Sequence, residues 1–285
     1  MTDPAGSSGR APAAQLPLAL RYPSDQRFET FVSRTATWSA SRDRALRDGH
    51  RDSDQTHASA SASCVADAAG DADTSVAQVR ALAGSRAPGG GATAGLYLVG
   101  PPGVGKTHLA LAACAWVHDD GRRSAYLPLA SAAGRVRDAL DALHDNDLIA
   151  LDGLDAVAGN RDDAIALFDF HNRVHDAGHA LLYAARCPPD ELPLALPDLR
   201  SRLSQCARIA LSPLDDAGRR RLLRLRAERR GLAIDDAAID WLLARVDRDL
   251  ATLTAWLDRL DQASLAAQRR VTVPFLRQLL GGDAI

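Results

Sequence analysis

The chain is poor in lysine, methionine, aromatic residues and cysteine, and each shortage excludes something. Its 285 residues include one methionine, four cysteines and only 5% aromatics. The cysteines, at positions 64, 114, 187 and 206, form no CxxC pair. That speaks against a zinc site and a disulfide framework and fits a reducing cytosol. No apolar run approaches the roughly 20 residues of a membrane helix. The N-terminus lacks the basic and apolar stretches of a signal peptide, so secretion and membrane insertion are not expected. The net charge of −2 gives no global basic field for nucleic acid or an anionic bilayer. What is present, 46% hydrophobic and 25% charged residues, is the profile of a soluble globular protein of one large or two small domains. Of the 34 basic residues only Lys106 is lysine. Arginine has replaced lysine wherever it serves, so the survivor is expected where a compact ammonium is required.

Residues 1–14 are small and polar and are expected to be disordered. An apolar island follows at 15–20, then an aromatic segment at 21–38 containing Phe28 and Phe31. Residues 39–75 contain almost no large apolar side chains and read as a disordered insertion, because they cannot bury enough surface to offset ordering entropy. From 76 to 212 the pattern is α/β. A short helix carries Val76, Val79 and Leu82. Strands are expected at Leu96–Val99, Ala125–Leu129, Leu148–Leu151, Ala180–Ala184 and Ala207–Leu211. Helices fall between them at Lys106–Val117, Ala132–Leu143 and Ala164–His175. This alternation predicts a parallel five-stranded sheet with its ligand at the carboxyl ends of the strands. Residues 213–285 read as a small all-α domain, with helices at Asp215–Arg230, Asp236–Val246 and Leu250–Ala266 and a last one from Thr272 to Leu280.

Between the first of these strands and its helix lies Gly100-Pro101-Pro102-Gly103-Val104-Gly105-Lys106-Thr107, which matches G-x-x-x-x-G-K-[ST]. Glycines let backbone N–H groups wrap phosphates, and the helix N-terminus adds a favourable field. Lys106 is expected on the β/γ-phosphates and Thr107 on Mg²⁺. The strand Leu148–Leu151 runs into Asp152, an acid suited to holding Mg²⁺. Gly153 follows, where many such ATPases carry the acid that activates water. Asp155 either replaces that acid or caps the next helix.

A P-loop domain followed by a helical lid resembles the AAA+ superfamily. Over about 220 residues the chain resembles the replication initiator DnaA and, more closely, the Hda family of its regulators. The resemblance rests on YPSDQRFETFV, GPPGVGKTHLALA, LIALDGLDAVAGN, LFDFHNRVHDAG, LPDLRSRL, LSPLDDAGR, VDRDLATL and LDQASLAAQRRVTVPFL. It implies an ADP or ATP site with Mg²⁺, formed by Gly100–Thr107 with His108 beside them and by a lid arginine, Arg248. It implies that Phe28 and Phe31 lie in the segment near adenine, and that Arg202 of LPDLRSRL is an arginine finger, with Arg200 its competitor. Where the family often has a polar sensor, this chain has Ala184-Ala185-Arg186. Gln15-Leu16-Pro17-Leu18-Ala19-Leu20 resembles the peptide with which replication proteins dock on the sliding clamp. Gln15 would hydrogen-bond there while Leu16, Leu18 and Leu20 supply apolar contact. The implied partners are the clamp, DnaA and, through the clamp, DNA. Self-association is compatible with the pattern, and the expected setting is the cytoplasm, at the replisome.

His171, His175 and His179 recur every four residues, but without further ligands they read as surface histidines rather than a metal site. The stretch RRRLLRLRAERR at 219–230 reads as an amphipathic lid helix. Three functions then compete. The first is a nucleotide-bound adaptor that stimulates DnaA in trans and so restrains initiation. The second is an autonomous ATPase of the helicase-loader or remodeller type, against which Gly153 and the alanines at 184–185 argue. The third is the initiator itself, which needs a helix-turn-helix domain beyond the lid.

Overall fold

Residues 22–23, 25–32, 34–35, 73–85, 95–246, 250–267 and 269–281 are described by a computed structural model. Their strands are β1 (Arg34–Thr35), β2 (Leu96–Val99), β3 (Ser124–Pro128), β4 (Leu148–Asp152), β5 (Ala180–Ala185) and β6 (Ala207–Ser212), in the spatial order β1-β6-β2-β5-β4-β3. The five strands from β2 to β6 are parallel, as the alternation predicts. The two-residue β1, which no pattern announced, adds antiparallel to β6 with Arg34 opposite Ser212.

Alternation along β2 divides the core into two layers. Leu96 and Leu98, with Leu182 and Ala184 of β5, face α1 (Asp73–Gly84) and α2 (Lys106–Asp119). Tyr97 and Val99, with Leu181 and Tyr183, face α3 (Val136–Asp141), α4 (Arg161–Asp176) and α5 (Pro197–Gln205). Both faces of the central strands are covered, which is why those strands read as continuous apolar runs.

Three readings are corrected. Helix α1 begins at Asp73, inside the stretch expected to be an insertion; Ser75 is buried in it. The helix expected over Ala132–Leu143 is broken: a 3-10 turn covers Leu129–Ser131, Gly134 takes φ 77°, and only Val136–Asp141 is α-helical. The cause is the buried carboxylate of Asp163, which accepts from the Gly134 N–H at 2.8 Å and holds the chain out of helical geometry. Finally, LPDLRSRL forms a helix that periodicity alone had not assigned, opened by Pro197 in its first turn.

The lid comprises α6 (Asp216–Arg229), α7 (Asp236–Leu243), α8 (Leu250–Ala267) and α9 (Val273–Gly281) around Leu223, Ile239, Leu242, Leu253, Leu257 and Leu276. Asp215 caps α6 by accepting from the Gly218 N–H at 2.8 Å. Leu222 and Leu223 are buried, while Arg220 and Arg224 face Asp240 and Asp236 of α7. That distribution makes α6 an amphipathic packing helix. A seam joins it to the N-terminal segment: Val32 packs on Leu214 and Leu222, and Arg230 bridges Asp25 at 3.1 Å and Asp258 at 2.7 Å. No helix among the described residues is long and apolar enough to cross a membrane.

Candidate nucleotide site

The site forms where β2 ends and α2 begins. Gly105 has φ 98°, and a Cβ there would lie 2.7 Å from the Phe31 ring. Glycine is thus required both by the backbone and by the close approach of Phe31. The 14-residue helix α2 starts at Lys106 and points its unpaired N–H groups into the loop. Lys106 Nζ donates to the carbonyls of Gly100 at 2.6 Å and Pro101 at 2.8 Å. Burial lowers its pKa, while the Asp152 charge acts in the opposite sense.

Thr107 and Asp152 are adjacent: the threonine hydroxyl donates to the Asp152 carboxylate at 2.5 Å, and the Tyr126 hydroxyl donates to the same oxygen at 2.9 Å. One hydroxyl and one carboxylate are hard oxygen ligands suited to Mg²⁺, which usually takes its remaining ligands from water and substrate phosphates. Among the described residues no group of three or more His, Cys, Asp or Glu side chains could hold a metal unaided. The donor set therefore fits a Mg²⁺ that arrives with a nucleotide.

Loop and helix open onto a cavity of about 480 Å³. Its loop end carries Lys106, Thr107, Asp152, Gly153, Asp155 and Arg186. The carboxylate of Asp155 accepts from the Arg186 N–H at 3.0 and 3.1 Å, which pins the chain just beyond β5. Asp155 caps a strand end rather than its own helix. Beyond the buried Ala184 and Ala185, the exposed Arg186 reaches this cavity, so a cation stands where a polar sensor was in doubt.

The lid end is walled by Gln26, Thr30, Phe31 and Val32 from the N-terminal segment and by Leu222, Arg226 and Leu250 from the lid. His108, among the expected site residues, also lines the cavity and ties this segment to α2. Its Nε2 lies 2.9 Å from the Arg27 carbonyl and 3.3 Å from Thr30 Oγ1, and burial lowers its pKa. Phe31 tilts over the His108 ring, with centroids 5.5 Å apart. Phe28 does not line the cavity; it is buried beneath the Arg80 guanidinium, 4.9 Å from its ring. Gln26, Arg186 and Arg226 escaped the sequence reading. Arginine is so abundant that position alone singles none out.

Arg202 lies in the last turn of α5, exposed, and does not line this cavity. Arg200 is half-buried and donates to the Leu194 carbonyl at 3.3 Å. Arg248 and the peptide residues Gln15, Leu16, Leu18 and Leu20 lie outside the described residues. The reading of three surface histidines is corrected: His171 is buried, shares a 2.9 Å hydrogen bond with the Tyr183 hydroxyl and stacks on His175. Gly178, at φ 74°, lies just beyond the end of α4 and before His179, as expected.

Comparison with known families divides the chain as the fold does. Residues 96–209 match the model of the ATPase family associated with various cellular activities, AAA, and residues 216–280 match the Hda lid domain. Among solved structures, domain III of the Thermotoga maritima replication initiation protein DnaA superposes with a TM-score of 0.66 at 18% identity, covering 92% of this chain and 98% of that one. AMPPCP-bound DnaA from Aquifex aeolicus gives a TM-score of 0.54 at 19% identity, over 65% of this chain and 59% of that one. The Thermotoga maritima RuvB Holliday junction branch migration motor gives 0.54 at 17%, over 72% and 65%. At these identities the superpositions speak for the fold. With a segment matching AAA that carries a P-loop at the end of its first parallel strand and a segment matching the Hda lid domain behind it, the chain is similar to the Hda- and DnaA-related AAA+ proteins.

Proposed function

We propose that this chain is a nucleotide-bound regulator of replication initiation, which docks on the DNA-loaded sliding clamp and stimulates ATP hydrolysis by DnaA. The observation that carries the proposal is the disposition of cations. Lys106 serves the chain's own cavity, whereas Arg202 is exposed on α5, away from it. A guanidinium so placed is free to meet a γ-phosphate held by another subunit, where charge builds up in the transition state. Gln15, Leu16, Leu18 and Leu20 would be the clamp ligand, an extended apolar peptide of the kind that suits a partner's pocket. Arg248 would complete the nucleotide site from the lid.

In this reading the chain's own residues bind and hold, and little hydrolysis is its own. Gly100–Thr107 cradle the phosphates of ADP or ATP, Thr107 and Asp152 would hold Mg²⁺, and the lid closes over the base. Position 153, next to Asp152, offers no carboxylate, and Asp155 is engaged with the Arg186 backbone. When bound, Mg²⁺ would neutralise phosphate charge.

The test is an ATPase assay of DnaA with clamp-loaded DNA. Arg202→Ala should retain nucleotide affinity and clamp binding yet lose the stimulation, for which related fingers contribute about 10³–10⁵-fold. Arg202→Lys should rescue poorly, because an ammonium cannot reproduce the planar fork. Arg200→Ala should keep far more of the stimulation. Full stimulation by Arg202→Ala would remove the finger from this residue. Turnover of several per second by the purified chain alone would favour the autonomous ATPase.

A further inference from the structure

Three side chains meet at the end of β4. Thr107 Oγ1 donates to Asp152 Oδ2 at 2.5 Å, and the Tyr126 hydroxyl donates to that same oxygen at 2.9 Å. Thr107 belongs to the phosphate loop, whereas Tyr126 belongs to no motif. It lies on β3, at the edge of the sheet, where it pairs with Ala150, two residues short of Asp152. Its ring packs in the same layer as α2, which brings the hydroxyl beside the first turn of that helix. An edge strand would be a loose support, but the Ser124 hydroxyl donates to the Cys114 carbonyl of α2 at 2.8 Å and ties β3 down. The Asp152 carboxylate is thus gripped from a strand as well as from the loop. Both donors land on Oδ2, and among the described residues none donates to Oδ1.

We propose that Tyr126 is a positioning residue for the metal-binding carboxylate and that, by holding Oδ2, it sets a preference for Mg²⁺ over Ca²⁺. The inference rests on the nucleotide reading above. Ca²⁺ accepts carboxylates through a single oxygen or through both, in flexible geometry. Mg²⁺ demands a near-ideal octahedron and keeps several waters beside a carboxylate and the substrate phosphates. A carboxylate with one oxygen taken by two donors can offer only the other. It cannot close with both oxygens on Ca²⁺ without giving up both hydrogen bonds, which is costly. A single oxygen, or a water that it holds, suits Mg²⁺. Thr107 would share its hydroxyl with the ion. Tyr126 has no such second duty, so its donor stays committed to Asp152. Partners of this kind orient the groups that bind a metal, and their loss is felt in metal affinity.

Titration calorimetry of the full chain with ADP in EDTA, in saturating Mg²⁺ and in saturating Ca²⁺ tests this. The wild type should bind Mg-ADP about tenfold more tightly than Ca-ADP. Tyr126→Phe keeps the ring and removes the donor. It should bring the Mg²⁺/Ca²⁺ ratio to within about twofold of one, by weakening Mg-ADP and sparing Ca-ADP, and should leave affinity in EDTA unchanged. In an Asp152→Asn background the same substitution should shift the ratio no further, since the tyrosine acts through that carboxylate. A uniform loss under all three conditions is what a structural lesion would give, and it would overturn the proposal. Equal wild-type affinities for the two metal complexes, or a ratio unchanged in Tyr126→Phe, would also overturn it and leave nucleotide binding intact. The wild-type comparison needs no variant, so a misfolded mutant cannot shield the idea. Failure of the wild type to bind ADP under any of the three conditions, or binding untouched by Lys106→Ala, would overturn the nucleotide reading and this inference with it.

Discussion

At the loop end of the cavity, eight consecutive residues from Gly100 to Thr107 supply the loop, the ammonium and a hydroxyl, and Asp152 joins them from the end of β4. At the lid end the walls come from residues 26–32, from α6 and from α8, segments far apart in the chain. The loop end is held by backbone geometry and short local hydrogen bonds. The lid end is held by a seam of Val32, Leu214 and Leu222 and by the bridges of Arg230. The contrast is one of construction: in the proposed nucleotide reading one continuous segment would hold the phosphates, whereas whatever lies beyond them would meet residues from two domains.

The largest expected effect breaks the loop end. Lys106→Ala should abolish nucleotide binding. Thermal melting with and without Mg-ADP would read this directly, since a ligand at about 100 times its Kd stabilises the wild type by about 2.7 kcal/mol and should leave the variant unmoved. An undiminished shift in Lys106→Ala would mean the loop is not the phosphate site.

Acidification should act at neither end, and so serves as a contrast to both. Burial, helped by His175 and the Arg202 charge, lowers the pKa of His171 to about 4. The unfolded chain, with an ordinary pKa near 6.5, therefore takes up the proton first. The associated stability is full above about pH 6.5 and is lost as pH falls toward 4, by about 3 kcal/mol at most. Urea denaturation at pH 7 and pH 4.5 should show this loss in the wild type beyond that in His171→Gln, which hydrogen-bonds without titrating. Parallel losses in the two proteins would contradict it.

A smaller effect is expected from Asp152→Asn. It keeps the shape but removes the charge that would hold Mg²⁺, so nucleotide affinity should lose about tenfold of its Mg²⁺ dependence, equivalent to about 1.4 kcal/mol. Titrations with and without EDTA would read the difference. The smallest effect belongs to the seam. Arg230→Ala removes the bridge from the lid to Asp25 and should weaken ADP binding only a few-fold, chiefly through faster release. Stopped-flow displacement would detect that, and an unchanged off-rate would mean the seam is held by apolar packing alone.

Much of this was legible in the sequence. The β-α-β alternation foretold five parallel strands because strands buried on both faces must be continuously apolar, and Leu96–Val99 and Leu148–Leu151 are. The P-loop was legible because its chemistry is contiguous. Lys106 stood out further as the single lysine of the chain. The broken helix at Gly134 was not legible, because the carboxylate that breaks it, Asp163, lies in another element. His171 looked like a surface residue because period-four spacing does not say which face the sheet will cover; Tyr183 of β5 decided that.

The sequence by itself therefore determined the fold class, the loop that would grip phosphates and the acid at the end of β4. Each follows from local periodicity or from residues adjacent in the chain. Only the tertiary structure decided that Gln26, Arg186 and Arg226 share one cavity with Lys106, and that Arg202 does not. In a chain whose basic residues are almost all arginine, composition gives no arginine priority over another. What separates them is where packing leaves each guanidinium, in solvent, against a carboxylate or with a buried N–H still to satisfy, and that is fixed only by contacts between elements far apart in the chain.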